Sequence, residues 1–148
     1  MKSYKIILFL FCCTMLHFIS SAQKSAMEMV KEAKQGIENL SPVEAQEEIT
    51  NGKAVLIDIR ETEELQTNGK IAGAVHAPRG MLEFYADSTL PYYKPAFDKD
   101  KRIILYCASS GRSALAVQTL RSMGYKNVAH IDGGFKAWKA AGLPSSDK

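Results

Sequence analysis

Three near-continuous apolar runs constrain this chain most: Ala54-Val55-Leu56-Ile57-Asp58, Ile103-Ile104-Leu105-Tyr106 and Val128-Ala129-His130-Ile131. Runs of this length and composition suit strands buried on both faces, as in a parallel sheet. Between them lie stretches that read as helix. Strands alternating with helices imply parallel pairing, with helices on both faces of a central sheet, so the expected class is α/β.

The remaining elements fit that alternation. Gln23 to Asn39 is charged, with spaced apolar positions at Met27, Val30, Ala33 and Ile37, and reads as a leading helical segment over 23–40. Ser41-Pro42-Val43-Glu44 is a helix start, with serine to cap, proline in the first turn and glutamate to complete a capping box. That helix should end near Asn51-Gly52. Glu61 to Thr67 reads as a helix closed by Asn68-Gly69, and Ala74-Val75-His76 as a brief strand before Pro78. Met81 to Ala86 looks helical, and Ser88 to Lys101 is a long connection with one helical turn. Ser113 to Met123 and Gly134 to Ala141 are the last two helices. There is no internal repeat and no low-complexity tract.

The first 22 residues have a separate reading. Lys2 and Lys5 precede the apolar run Ile6 to Leu16, and Ser20-Ser21-Ala22 offers a small-residue cleavage site. This is the pattern of a secretory signal peptide, and the run is short of the roughly 20 residues a spanning helix needs. Retention as a membrane anchor is the duller alternative. The expectation is an exported protein, periplasmic or secreted, cleaved near Ala22. Cleavage leaves 126 of the 148 residues, which suits one domain over 41–144 behind the leading segment, with a tail at 145–148. Of 19 basic residues two leave with the peptide, so 17 face 16 acidic ones. A nearly neutral chain gives no reason to expect a nucleic-acid partner, and no later segment reads as a membrane span.

Cleavage also removes Cys12 and Cys13 and leaves Cys107 as the only thiol. Taken alone, a lone cysteine reads best as a small buried hydrophobe. Its position changes that reading, because in an open α/β sheet ligands bind beyond the carboxyl ends of the strands, and Cys107 directly follows one. Cys107-Ala108-Ser109-Ser110-Gly111-Arg112 must turn the chain from strand to helix. Small side chains and Gly111 let successive backbone amides point inward, and the following helix adds the positive end of its dipole. Such a bowl binds anions and favours a thiolate. Arg112 adds a planar fork of donors for an oxyanion. The expectation requires Cys107 to face this nest; a thiol pointing into the hydrophobic interior, shielded from water, would overturn it.

The sequence resembles a single-domain rhodanese, a sulfurtransferase. The resemblance rests on Leu56-Ile57-Asp58-Ile59-Arg60-Glu61, on Gly69-Lys70-Ile71-Ala72-Gly73-Ala74 with Pro78, on Tyr106-Cys107 through Arg112-Ser113, and on Asp132-Gly133-Gly134-Phe135-Lys136-Ala137-Trp138 with Gly142-Leu143-Pro144. Each is weak alone, and the four in order are specific. Lys70 departs from the family, which commonly has histidine there. The resemblance implies a Cys107 nucleophile, with Ala108, Ser109, Ser110, Gly111, Arg112 and Ser113 holding the substrate. It further implies a sulfane sulfur moved from thiosulfate or a persulfide donor to a thiol or cyanide acceptor, through a Cys107 persulfide and without a cofactor. A protein thiol is a further candidate acceptor.

Two rivals stand beside this reading. A carrier or partner-binding module would load sulfur without multiple turnovers. A cysteine-dependent phosphatase would need five residues between cysteine and arginine, whereas only Ala108 to Gly111 intervene here. His76 and His130 read as packed or surface groups, and two separated histidines with one cysteine make no metal set by spacing. Asp58 and Arg60 are assigned to structure, as in the resembled family. Phe135 and Trp138, three apart, share a helix face and read as core.

Overall fold

The computed structural model describes residues 23–146. The signal-peptide reading of 1–22 and the end of the tail lie outside the described residues. Five strands, β1 (Glu38–Leu40), β2 (Val55–Asp58), β3 (Val75–His76), β4 (Ile103–Tyr106) and β5 (Val128–Ile131), form one sheet in the order β1-β5-β4-β2-β3. Every pairing is parallel. Six helices accompany them: α1 (Ala26–Gly36), α2 (Pro42–Thr50), α3 (Thr62–Asn68), α4 (Leu82–Ala86), α5 (Gly111–Ser122) and α6 (Gly134–Ala140).

The period-two alternation of the strands sorts their side chains into two cores. Ile57, Ile103, Leu105 and Val128 face one way and pack with Leu82 and Ala86 of α4 and Ala116, Val117 and Leu120 of α5. Leu56, Ile104, Tyr106, Ala129 and Ile131 face the other way, against Ala45 of α2 and Phe135 and Trp138 of α6. The expected α/β arrangement with both faces covered is therefore present. All four residues of β4 are buried, which puts Cys107 at the end of an interior strand.

Ser41 caps α2 as expected, its Oγ accepting from Glu44 N while Glu44 reaches back to Ser41 N. The leading segment is where expectation and structure differ. Its helix stops at Gly36, and Glu38–Leu40 pairs with β5 as an edge strand. Three residues are too few to show a strand period, and their conformation is set by the partner strand. The Asn39 amide also donates to Lys34 O and Ile37 O, closing the corner. α1 packs on α5, with Val30 against Gly111. At the other end, Ser146 bridges Lys70 and the Trp138 indole donates to Pro144 O. Among the described residues no helix is long and apolar enough to cross a membrane.

Candidate active site

Cys107 leaves β4 into the turn that starts α5. The chain reverses at Ser110, the only residue other than glycine with positive φ among those described (φ 75°, ψ −17°). A left-handed serine is strained by about 1–2 kcal/mol, and surrounding contacts hold it. Ser110 O accepts from Ala114 N at 3.0 Å and lies 3.1 Å from the Ser113 hydroxyl. Behind the loop stands the start of α6. Phe135 N donates to Cys107 O at 2.8 Å and Lys136 N to Ala108 O at 3.0 Å. Gly134 sits so close that a Cβ there would lie 2.4 Å from Cys107 O. The Gly133-Gly134 pair is the platform under the loop.

These contacts divide the loop's polar groups. The carbonyls of Tyr106, Cys107, Ala108 and Ser110 all accept hydrogen bonds. Among the described residues, none of the backbone amides from Ala108 to Ser113 donates to a protein acceptor. Ser110 and Ser113 are buried and Ser109 is exposed, and six free amides in succession at a helix start make an electropositive surface suited to an anion. The amides that the expected nest of residues 107–113 would use are thus left without a protein acceptor.

Cys107 itself departs from expectation. It is 1% exposed and packs among the apolar core residues beneath the sheet end. As the first residue past an interior strand, it inherits that strand's burial. Its sulfur lies 3.6 Å from Ser113 Oγ, so it has a polar contact on the loop side despite being shielded from water.

Arg112 also differs from its reading as an open oxyanion fork. Its Nη1 and Nη2 both bind the Glu64 carboxylate, at 2.6 and 2.8 Å. The guanidinium holds the Glu64 carboxyl down at about 2, below its ordinary 4.5, and Glu64 in turn holds Arg112 more firmly protonated. Glu64, on α3, was not singled out from sequence, since one acidic residue among Glu61, Glu63 and Glu64 carries no mark of its distant partner. Beside Ala108, a cleft of about 270 Å³ runs between Glu64 and Arg60 on one side and Lys136 and Lys139 on the other.

Asp58 and Arg60 are each 1% exposed at their side chains and form a forked pair, with Arg60 Nη2 2.6 Å from Asp58 Oδ2. Arg60 also donates to Gly69 O at 2.9 Å and stacks over Phe135 at 4.2 Å. The pair ties three chain segments together, which is the structural role assigned to it. His76 Nε2 lies 2.8 Å from Arg60 O. His130 is fully buried, with Nδ1 3.1 Å from Ser113 Oγ and Nε2 2.8 Å from Asn39 Oδ1. The reading of His130 as a packed group omits this link to the loop.

Known proteins agree with the fold. The Rhodanese-like domain family matches residues 41–141. The thiosulfate sulfurtransferase GlpE of Coxiella burnetii is 31% identical over 108 residues, 73% of this chain and 92% of that protein. The uncharacterized protein slr1261 of Synechocystis sp. is 40% identical over 91 residues; the match takes in 62% of this chain and spans less than half, 46%, of that relative. Among solved structures, a Rhodopseudomonas palustris protein of unknown function, described as a possible tyrosine phosphatase, superposes with a TM-score of 0.79 at 44% identity. That superposition covers 84% of this chain and 96% of the other. By the extent of the family match, over residues 41–141, this chain belongs to the rhodanese-like domain family.

Proposed function

We propose that this protein is a sulfurtransferase that carries a sulfane sulfur on Cys107, taking it from thiosulfate or a persulfide donor and giving it to a thiol or cyanide acceptor. The observation that carries this reading is the one-sided loop: carbonyls engaged by α6 and α5, amides from Ala108 to Ser113 left for an anion. In the first half-reaction the Cys107 thiolate attacks the outer sulfur of the donor. The donor's S–S bond breaks, sulfite leaves with the electron pair, and a persulfide remains on the protein. In the second, the acceptor attacks the terminal sulfur and Cys107 departs as thiolate. This is covalent two-step catalysis, and it is expected to show ping-pong kinetics. The amides serve both the donor's oxyanion and the persulfide without reorganising, which is preorganised stabilisation.

Burial of Cys107 favours a small donor, whose entry needs the side chains over the sulfur to part. Lys136 and Lys139, which line the cleft beside Ala108, supply positive charge near the loop. Intact-mass measurement after incubation with thiosulfate is the direct test. A sulfur adduct is expected on the wild type and none on Cys107→Ser. An unmodified wild-type mass would overturn the reading. Loading without repeated turnover toward cyanide or a small thiol would instead make the protein a carrier. The description of the Rhodopseudomonas palustris relative raises phosphoryl transfer, but four residues between Cys107 and Arg112 close a tighter ring than tetrahedral phosphate needs. Turnover of an aryl phosphate that disappears in Cys107→Ser would reverse that ranking. We further propose export after cleavage near Ala22, to a periplasmic or extracellular space. There the sulfur acceptor, a small thiol or a protein thiol, comes from outside this chain.

A further inference from the structure

The open amides stabilise a sulfur anion but do not remove the proton that must leave to make it. Cys107 is 1% exposed, so water has little access to its thiol. The polar side-chain atom in reach is Ser113 Oγ, at 3.6 Å. Beyond it lies His130 Nδ1 at 3.1 Å, and on the far side of that ring Asn39 Oδ1 lies 2.8 Å from Nε2.

The directions of these bonds follow from the inner end of the chain. Both hydrogens of the Asn39 amide go to carbonyls, Lys34 O at 2.8 Å and Ile37 O at 3.0 Å, so its oxygen is the atom facing His130. Nε2 therefore carries a hydrogen, and in the neutral ring Nδ1 carries the lone pair. Ser113 has one hydroxyl hydrogen and two acceptors at 3.1 Å, Ser110 O and His130 Nδ1. Ser110 O already accepts from Ala114 N, whereas among the described residues Nδ1 has no other donor, so giving the hydrogen to Nδ1 avoids two lone pairs facing each other and leaves the oxygen free to accept from the thiol. Each link then points one way, S–H to O–H to Nδ1.

We propose that Cys107, Ser113 and His130 form a proton relay, in which His130 takes, through the Ser113 hydroxyl, the proton that Cys107 gives up on becoming nucleophilic. The S–H bond breaks and its electron pair stays on sulfur. Ser113 Oγ gains that proton while its own passes to Nδ1. No atom is oxidised or reduced. The imidazolium then donates from Nδ1 to Ser113 Oγ, and the Ser113 hydroxyl, released from the ring, donates to the sulfur anion. When an acceptor has removed the transferred sulfur, the returning thiolate reclaims its proton by the same path.

Burial, with Lys34 nearby, holds His130 down at about 4, so its resting ring is neutral and Nδ1 is available. Lys34 is itself engaged by Asp132 at 2.5 Å. A weak base suffices because the imidazolium forms opposite a sulfur anion, and opposite charges in close proximity favour each other's charged forms. His130 touches no substrate, and acts as a positioning residue through Ser113.

The relay's role during sulfur loading rests on the sulfurtransferase reading, and two measurements separate them. Alkylation of Cys107 by iodoacetamide at pH 7 involves no sulfur transfer. Its rate should fall about tenfold or more in Ser113→Ala and in His130→Gln, with no further loss in the double variant, as expected when residues act as one unit. Rates within about twofold of wild type, or losses that multiply in the double variant, would overturn the relay. Nitrogen-resolved NMR of the wild-type imidazole serves if a variant does not fold. The Nε2–H tautomer is expected at rest, with both nitrogens protonated once Cys107 carries the persulfide anion. An Nδ1–H tautomer at rest, or a ring that stays neutral after loading, would overturn the proposal. If thiosulfate leaves no adduct, the sulfurtransferase reading fails and the alkylation rates alone decide the relay.

Discussion

Strands β2 and β4 lie side by side in parallel, from Val55 against Ile103 to Asp58 against Tyr106, so their carboxyl ends share one edge of the sheet. Past β2, the charged groups close on themselves: Asp58 and Arg60 are buried, forked together, and further tied to Gly69 O and the Phe135 ring. Past β4, the backbone opens: six amides have no protein acceptor among the described residues, and the thiol beside them touches a hydroxyl. Charge is therefore not what marks the site. Unspent hydrogen-bonding capacity is, because a satisfied buried pair has nothing left for a ligand and a row of donors without protein acceptors is free to take one.

The largest expected effect tests the closed end. Arg60→Leu leaves the Asp58 carboxylate buried without its cation, a change that costs about 3–5 kcal/mol in comparable settings. Urea unfolding should show it. Cys107→Ser, at the open end, should lose sulfur loading entirely while shifting stability far less, since it exchanges one small buried group for another. An Arg60→Leu protein as stable as wild type but unable to load sulfur would place Arg60 in the chemistry and erase the contrast.

A smaller effect is expected where the two ends meet, at α6. Gly134 has φ +60°, and its missing Cβ makes room for Cys107 O and for Ala108 and Ser109 behind it. Gly134→Ala adds backbone strain of about 1–3 kcal/mol and pushes on the loop's carbonyl side. Stability by urea unfolding and sulfur loading by intact mass should both fall, with loading falling in protein that remains folded. Unchanged loading in a folded Gly134→Ala would mean that the platform under the loop does not set the geometry of the amides in front of it.

The sheet, its parallel pairing and the placement of Cys107 were legible in the sequence because apolar runs and helix-start signals are local. So were the nest residues, whose small side chains have one plain use. What was not legible depends on distance along the chain. Glu38–Leu40 is a strand only because β5 offers an edge to pair with. Glu64 reaches Arg112 from α3, and His130 reaches Ser113 and Asn39 from an interior strand position that reads simply as core. Gly134 reads as a helix start until the loop that it supports is brought against it. Burial of Cys107 is the most instructive miss: the same strand end that aims the residue at the ligand edge also sinks it beneath that edge.

The finest test of the contrast lies at Glu64, which partly closes the open end by occupying Arg112. Its carboxyl is held at about 2 by hydrogen bonds from Arg112, against an ordinary value of 4.5. A lowered folded value means the ion pair stabilises the protein above about 4.5, and that this contribution is lost as the pH falls toward 2. Both side chains are about one-third exposed, at 29% and 37%, so solvent screening keeps the pair near 1 kcal/mol or less. Glu64→Gln should therefore lower stability slightly at pH 7 and flatten the acid dependence between about 4.5 and 2 in pH-dependent unfolding. If Glu64 withholds Arg112 from the donor, the same substitution frees the fork and speeds thiosulfate loading at pH 7. Slower loading would mean that the pair braces the loop from outside, and Arg112 would then belong with Arg60 among the charges that hold the fold.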